Sequence, residues 1–256
     1  MYSLSCAKPD LLDLFDGDGP GTAMLFSILE GRGPAEILVD DPDRPTQCLV
    51  RNGVRMTFAS HGVSQAFLEL SLADLRKTGG VVLVRRPDGS EIWTPPEADI
   101  EVERIEFTEF DAIEGGYREA LRRPLEGIQL REVDAANFED CLWRDMLLAF
   151  CGSAECFLHH GFGLSLCRGD ELLAEGYAPL LGRSIMEIGV ISAEEHRGQG
   201  LATIVSAHVI ERCLERGWSV TWSCETDNPA SAAVARKLGF RGEQTYPVYG
   251  YKSTKA

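Results

Sequence analysis

No stretch of this chain comes near the roughly 18 consecutive apolar residues that a membrane-spanning helix needs. Positive charge is also short: 25 Lys and Arg stand against 40 Asp and Glu, for a formal net charge of -15. Such a surface is repelled by phosphate backbones and by anionic lipid, so neither nucleic acid nor a membrane is an expected partner. The start lacks the apolar core of an export signal and runs into Asp10, Asp13, Asp16 and Asp18. A cytoplasmic location is expected. Cysteine is present, eight in all, but no two form a C-x-x-C pair and none has metal-ligand spacing. Cys151 and Cys156 near His159 and His160 come closest, and they read as buried thiols beside a polar loop. No metal is expected.

The 256 residues, 44% of them hydrophobic, can build one large domain or two smaller ones. A seam falls around residues 111–128, where a polar helix over Asp111 to Arg123 is expected to stop before Pro124. The expected division is 1–125 and 126–256.

In the first half, Ala23 to Glu30 reads as an apolar helix. Ala35 to Asp40, Thr46 to Arg51 and Arg55 to Ser60 read as strands, with a positive-φ hairpin turn at Asn52-Gly53. Ser64 to Lys77 has helical spacing and closes at Gly79-Gly80. Val81 to Val84 and Val102 to Phe107 read as strands, with a turn at Pro87-Asp88-Gly89 and a loop at Pro95-Pro96. This half shows no phosphate loop, catalytic triad or metal motif, and reads as a degenerate copy of the fold expected for the second half.

In the second half, Ile128 to Arg131 reads as a strand and Asn137 to Cys151 as a helix. A hairpin turns at Gly169-Asp170. The apolar strand Ile185 to Ile191 carries one charge, Glu187. A helix follows to Arg216, then the strand Val220 to Cys224, then a helix capped by Asn228 and started by Pro229.

The chemistry points to Arg197-Gly198-Gln199-Gly200-Leu201-Ala202, between an apolar strand and an amphipathic helix. Two glycines let the backbone approach a ligand. The helix start presents unpaired N–H groups and the positive end of its dipole, which suits a phosphate or diphosphate. Arg197 adds a charged donor. A dinucleotide site is one way to use such a loop, since Gly198-x-Gly200 is half of G-x-G-x-x-G and Glu225 ends the next strand. Against it, the third glycine position is Thr203, six residues separate strand from loop, and only 31 residues follow Glu225.

The loop and its surroundings resemble the GNAT N-acetyltransferase superfamily. Its diphosphate loop, (Q/R)-x-x-G-x-(G/A), is matched by Arg197, Gly200 and Ala202. The order Glu187-Ile188-Gly189, Trp222-x-Cys224, Asn228-x-x-Ser231 and Lys237-Leu238-Gly239-Phe240 is similar to the branch named for zwittermicin A resistance. The resemblance covers about residues 128–256. It implies an α+β fold layered α/β/α: a mixed, mostly antiparallel sheet with helices on both faces, preceded by a smaller α/β N-terminal domain. It implies acetyl-CoA as cosubstrate. The pantetheine arm would lie along Val190, Ile191 and Ser192, and the diphosphate on the N–H groups of Gly198, Gln199, Gly200, Leu201, Ala202 and Thr203. Asn228 would touch the cofactor.

An alkyl amine is protonated near neutral pH and must lose a proton before it attacks a thioester. Glu187 is the expected base: it is the lone charge in its strand, burial there would favour its neutral form, and the resemblance implies a glutamate nearby. Pairing of Glu187 with Arg183 is the competing reading, and Glu175 on the neighbouring strand is a second candidate base. Gly189 is expected to mark a bulge or a close contact. The tyrosine that the resemblance implies as acid on the thiolate is replaced by Ala235, which leaves Tyr246 or Tyr249 to return to the cleft. His196, His208 and Cys224 read as structural. The expected function is transfer of an acetyl group from acetyl-CoA to the primary amine of a small molecule. A non-catalytic acyl-CoA-binding or sensor protein is the alternative. The oligomeric state stays open, a homodimer included.

Overall fold

Short Val/Ile/Leu-rich runs closed by turn residues, alternating with amphipathic stretches, give the chain its strands and helices. The computed structural model of the protein describes residues 1–15, 20–83, 97–113 and 116–252. The first half runs β1 (Tyr2–Leu4), a 3-10 turn at Pro9–Leu14, α1 (Thr22–Leu29), β2 (Ala35–Val39), β3 (Cys48–Asn52), β4 (Met56–Ala59), α2 (Gln65–Thr78), β5 (Gly80–Leu83), β6 (Ile100–Phe110) and α3 (Tyr117–Leu121). The second runs β7 (Gln129–Glu132), a 3-10 turn at Phe138–Asp140, α4 (Arg144–Cys151), α5 (Ala154–His160), β8 (Phe162–Arg168), β9 (Glu171–Gly182) and β10 (Ile185–Ser192). A 3-10 turn at Glu194–His196 then leads into α6 (Leu201–Glu215), β11 (Ser219–Glu225), α7 (Pro229–Leu238) and β12 (Phe240–Tyr251).

Among the described residues twelve strands form one sheet, ordered β1-β2-β3-β4-β5-β12-β6-β11-β10-β9-β8-β7. The order is a palindrome: five strands of the first half, the two closing strands, then five of the second half in reverse. The closing strands are exchanged. β6, from the first half, pairs with β11, while β12, from the second, pairs with β5. Each half has one parallel neighbour pair, β4–β5 and β10–β11, and among the described residues the remaining strand pairs are antiparallel. The mixed, mostly antiparallel sheet is therefore as expected, but the first half continues it edge to edge.

Helices cover both faces. α6, α7 and α3 pack on one, over Phe107, Trp222, Met186 and Ile188. α1, α4 and α5 lie on the other, with cores around Phe26 and Leu180 and around Phe157 and Tyr177.

Four local readings are corrected. The helix expected over Asp111 to Arg123 shrinks to α3, because the Asp111 carboxylate captures the N–H of Ile113 (2.9 Å) in a turn. The helix expected over Asn137 to Cys151 is broken before α4, where Glu175 takes the N–H of Leu142 at 2.7 Å. The polar loop around Cys156 and His159 is a helix, α5, capped by Ser153, whose hydroxyl accepts from the N–H of Cys156 at 3.0 Å. The β3–β4 hairpin exists, but its positive-φ residue is Arg55 (φ 64), and Gly53 is needed because the carbonyl of Ala149 fills the space a Cβ would take. The turn at Pro87-Asp88-Gly89 and the loop at Pro95-Pro96 lie outside the described residues. Among the described residues no helix is long and apolar enough to cross a membrane.

Candidate functional site

β10 and β11 run parallel but pair only at Ile185–Ser219, Met186–Val220 and Glu187–Thr221. β10 continues to Ser192 and β11 to Glu225 without further pairing between them. Beyond Glu187 the two strands therefore part, and Val190, Ile191 and Ser192, all half-buried, line the open edge of β10. The parting is helped by a register shift between Glu187 and Gly189 on the β9 side. Gly189 serves as both bulge and contact: a Cβ there would overlap the indole of Trp143.

The loop lies just past this opening. Gly198 (φ 75) and Gly200 (φ 78) both have left-handed backbone, and a Cβ on Gly198 would meet only open space. Gly200 is the N-cap of α6, with no side chain bonded to the helix start. The N–H groups of Leu201, Ala202 and Thr203 open the helix, and the N–H of Ile204 donates to the carbonyl of Gly200 at 3.2 Å. Arg197 and Gln199 are exposed. Sequence reading missed Arg123, whose guanidinium lies over Gly200, 2.7 Å from where its Cβ would be. Arg123 is far away in the chain, so no local pattern exposes it. Asn228 caps α7, its carboxamide oxygen accepting from the N–H of Ser231 at 3.1 Å.

Below the opening, one face of the sheet gathers polar side chains from four strands. Glu187 faces Thr221 across β10–β11, Ser223 faces Glu106 across β11–β6, and Tyr246 faces Arg104 across β6–β12. The Ser223 hydroxyl donates to Glu187 Oε1 at 2.6 Å and accepts from Arg104 Nη2 at 2.7 Å. Arg104 Nε is buried without a partner. Glu106 Oε2 accepts from the N–H of Gly21 at 2.8 Å, and Oε1 lies 3.4 Å from the Thr221 hydroxyl. Glu106 is 5% exposed. Burial, and then the facing charge of Glu187, push its carboxyl up to about 7, against the pull of Gly21, Arg104 and Thr221. No local pattern points to Glu106 or Arg104, because they lie in the half without motifs and reach the site only through the strand exchange.

The pairing of Glu187 with Arg183 does not form: Arg183 stacks on the ring of Phe26 instead, 3.8 Å from its centroid. Tyr246 is brought to the polar face, where burial raises its phenol and Arg104 pulls back against that. Tyr249 is not brought there: an odd number of residues from Tyr246 on an unbroken strand, it points to the opposite face. Glu175 is fully engaged elsewhere, accepting from Ser165 Oγ (2.8 Å), from the N–H of Leu142 and from the hydroxyl of Tyr177. It anchors the segment that carries Trp143. Ala235 is buried in the apolar core, as is Cys224. His196 meets Glu171 at 2.9 Å, and His208, half-buried on α6, is pushed down by burial. Among the described residues no group of three or more His, Cys, Asp or Glu is placed to hold a metal.

Comparison with known proteins gives the family and the fold. A family model described as GNAT acetyltransferase matches residues 13–249. The chain is 29% identical over 139 residues to the uncharacterized N-acetyltransferase YdfB of Bacillus subtilis (strain 168), which is 52% of this chain and 51% of that protein. The match thus spans about half the length of that curated relative. Among solved structures, a GCN5-related N-acetyltransferase-like protein from Streptococcus suis 89/1591 is similar with a TM-score of 0.70, at 23% identity, over 95% of this chain and 97% of that one. A tandem GNAT protein from the clavulanic acid biosynthesis pathway is similar with a TM-score of 0.60, at 14% identity, over 99% and 98%. These two likenesses establish the fold.

Proposed function

The chain belongs to the GNAT acetyltransferase family, and from that premise we propose that it transfers an acetyl group from acetyl-CoA to the primary amine of a small molecule. The observation that carries this reading is the parting of β10 and β11 beside a glycine-bearing helix start. An unpaired strand edge can hydrogen-bond the pantetheine amides as a further strand would. The N–H groups of residues 198–203, with Arg197 and Arg123, hold the diphosphate by local geometry within an acidic chain. Asn228, at the start of α7, is taken to touch the cosubstrate. We take residues 126–256 as the half that binds the cosubstrate and 1–125 as a degenerate copy of it. The branch named for zwittermicin A resistance remains the nearest in motif order.

The acceptor approaches the polar face. Glu187, held by Ser223, draws a proton from the ammonium group and leaves a nucleophilic nitrogen. The tetrahedral oxyanion is met by a backbone N–H on the open edge of β10. Tyr246 is the acid available to the leaving thiolate, a role that thiolate stability makes secondary. The acidic surface favours a cationic acceptor, such as an amino-sugar, an aminopolyol or a polyamine.

Melting the protein with acetyl-CoA, free CoA and NAD tests the cosubstrate. Stabilisation by the first two is expected, because a ligand bound only by the native state raises its stability. Stabilisation by NAD alone overturns the reading. A second reading, an acyl-CoA-binding protein without turnover, is favoured by Ala235, whose burial leaves no room for the absent tyrosine. Release of free thiol with any of a panel of amines decides between the two.

A further inference from the structure

We propose that Glu106, delivered on β6 by the first half of the chain, joins Glu187 as the second member of a carboxylate pair that takes the proton from the acceptor amine. This rests on the acetyl-transfer reading and adds to it a function for the half that carries no motif. Glu106 and Glu187 project from the same face of the sheet, on strands separated only by β11. Their settings differ. Glu187 is linked through Ser223 to the guanidinium of Arg104. Glu106 is held by one neutral donor, the N–H of Gly21, and lies 3.4 Å from the hydroxyl of Thr221, which donates to the carbonyl of Phe107 at 3.0 Å.

A buried carboxylate that faces a second carboxylate binds a proton more readily than a free one, even against the pull of a backbone N–H. The upward push on Glu106 to about 7 follows from both causes. It places Glu106 where it can gain and lose a proton near neutral pH. Among the described residues, the charged and titratable groups facing Glu106 are Glu187 on β10, Arg104 on β6 and Tyr246 on β12, with Glu225 on β11 acting on Arg104. α1, packed over this part of the sheet, carries no ionisable side chain.

The step balances. The ammonium nitrogen gives one proton to the pair, and the neutral nitrogen bonds to the thioester carbon. The carbon–sulfur bond breaks. The remaining surplus proton on nitrogen ends on the thiolate, and the pair returns its own proton to solvent.

The test compares wild type, Glu106→Gln, Glu106→Asp and Glu187→Gln by kcat/KM from pH 5.5 to 9, with CoA affinity by calorimetry. Glu106→Gln is expected to lower kcat/KM at pH 7 by about thirtyfold or more and to remove the ionisation near 7 from the acidic limb, in line with general-base contributions. CoA affinity should stay within about twofold, and Glu106→Asp should recover part of the rate. A Glu106→Gln enzyme with wild-type rate and pH profile overturns the proposal. Failure of wild type to bind CoA instead overturns the acetyl-transfer reading beneath it. Should the Gln variant not fold, carbon-13 titration of wild-type glutamate carboxyls supplies the answer: a group titrating near 7 supports the pair, and its absence overturns it.

Discussion

Placing a carboxylate at the start of α6 separates two effects that can be worked out beforehand. In Gly200→Glu the backbone must hold φ 78 with a Cβ attached, a strain of about 1–2 kcal/mol. The new Cβ also meets Arg123 Nη1 at 2.7 Å, the far end of a flexible side chain that can swing aside. An acidic group near a helix N-terminus returns about 0.3–1 kcal/mol. The net loss of stability is about 1 kcal/mol, a fall in Tm of roughly 2–4 °C for a chain of this size. Binding should suffer far more. At about 5 Å and an effective dielectric constant near 40, each unit of like charge costs about 1.7 kcal/mol. Two diphosphate charges make that about 3 kcal/mol, or on the order of a hundredfold in Kd. Calorimetry with CoA and a thermal melt read the two numbers separately. Gly200→Ala, with the strain but not the charge, should lose about tenfold or less. Gly200→Glu binding CoA within threefold of wild type would refute the diphosphate assignment.

Glu187→Gln should lower turnover at least tenfold while CoA affinity holds; an unchanged pH–rate profile removes Glu187 as a base. Gly189→Val forces a branched side chain into the indole of Trp143 and should cost about 2 kcal/mol by overpacking, seen as a Tm lower by roughly 4–8 °C. Stability should also depend on Glu106. Its carboxyl is raised from 4.5 to about 7 on folding, so the folded state holds more protons between those values and stability falls as pH rises through that window. The loss is about 3 kcal/mol by pH 8. Denaturant titrations at pH 4.5 and 8 should show it in wild type and not in Glu106→Gln, and equal slopes in both proteins would rule it out.

The second half was legible because its chemistry is local. Gly198, Gly200, the cap at Asn228 and the stop at Gly239 each act within a few residues, and their spacing survives in the fold. Gly189 could be read as bulge or contact, and it is both. What stayed hidden depends on long-range pairing. Glu106 lies in an alternating strand with several other glutamates, and only its register against Ser223 distinguishes it. Tyr246 and Tyr249 look equivalent until strand alternation sends them to opposite faces. The break before α4 requires the buried carboxylate of Glu175, 33 residues on from the N–H it captures. Helical spacing alone cannot anticipate it.

The traded closing strands make the two halves inseparable in practice. Expressing residues 126–256 alone would strip β11 of its neighbour and leave a bare hydrogen-bonding edge that invites aggregation. The same cut would carry off Arg104 and Glu106. β5 would lose its neighbour β12 in the complementary fragment. A silent-looking first half is thus held in place by geometry, and damage far from the glycine-bearing loop can dismantle the polar face without touching that loop.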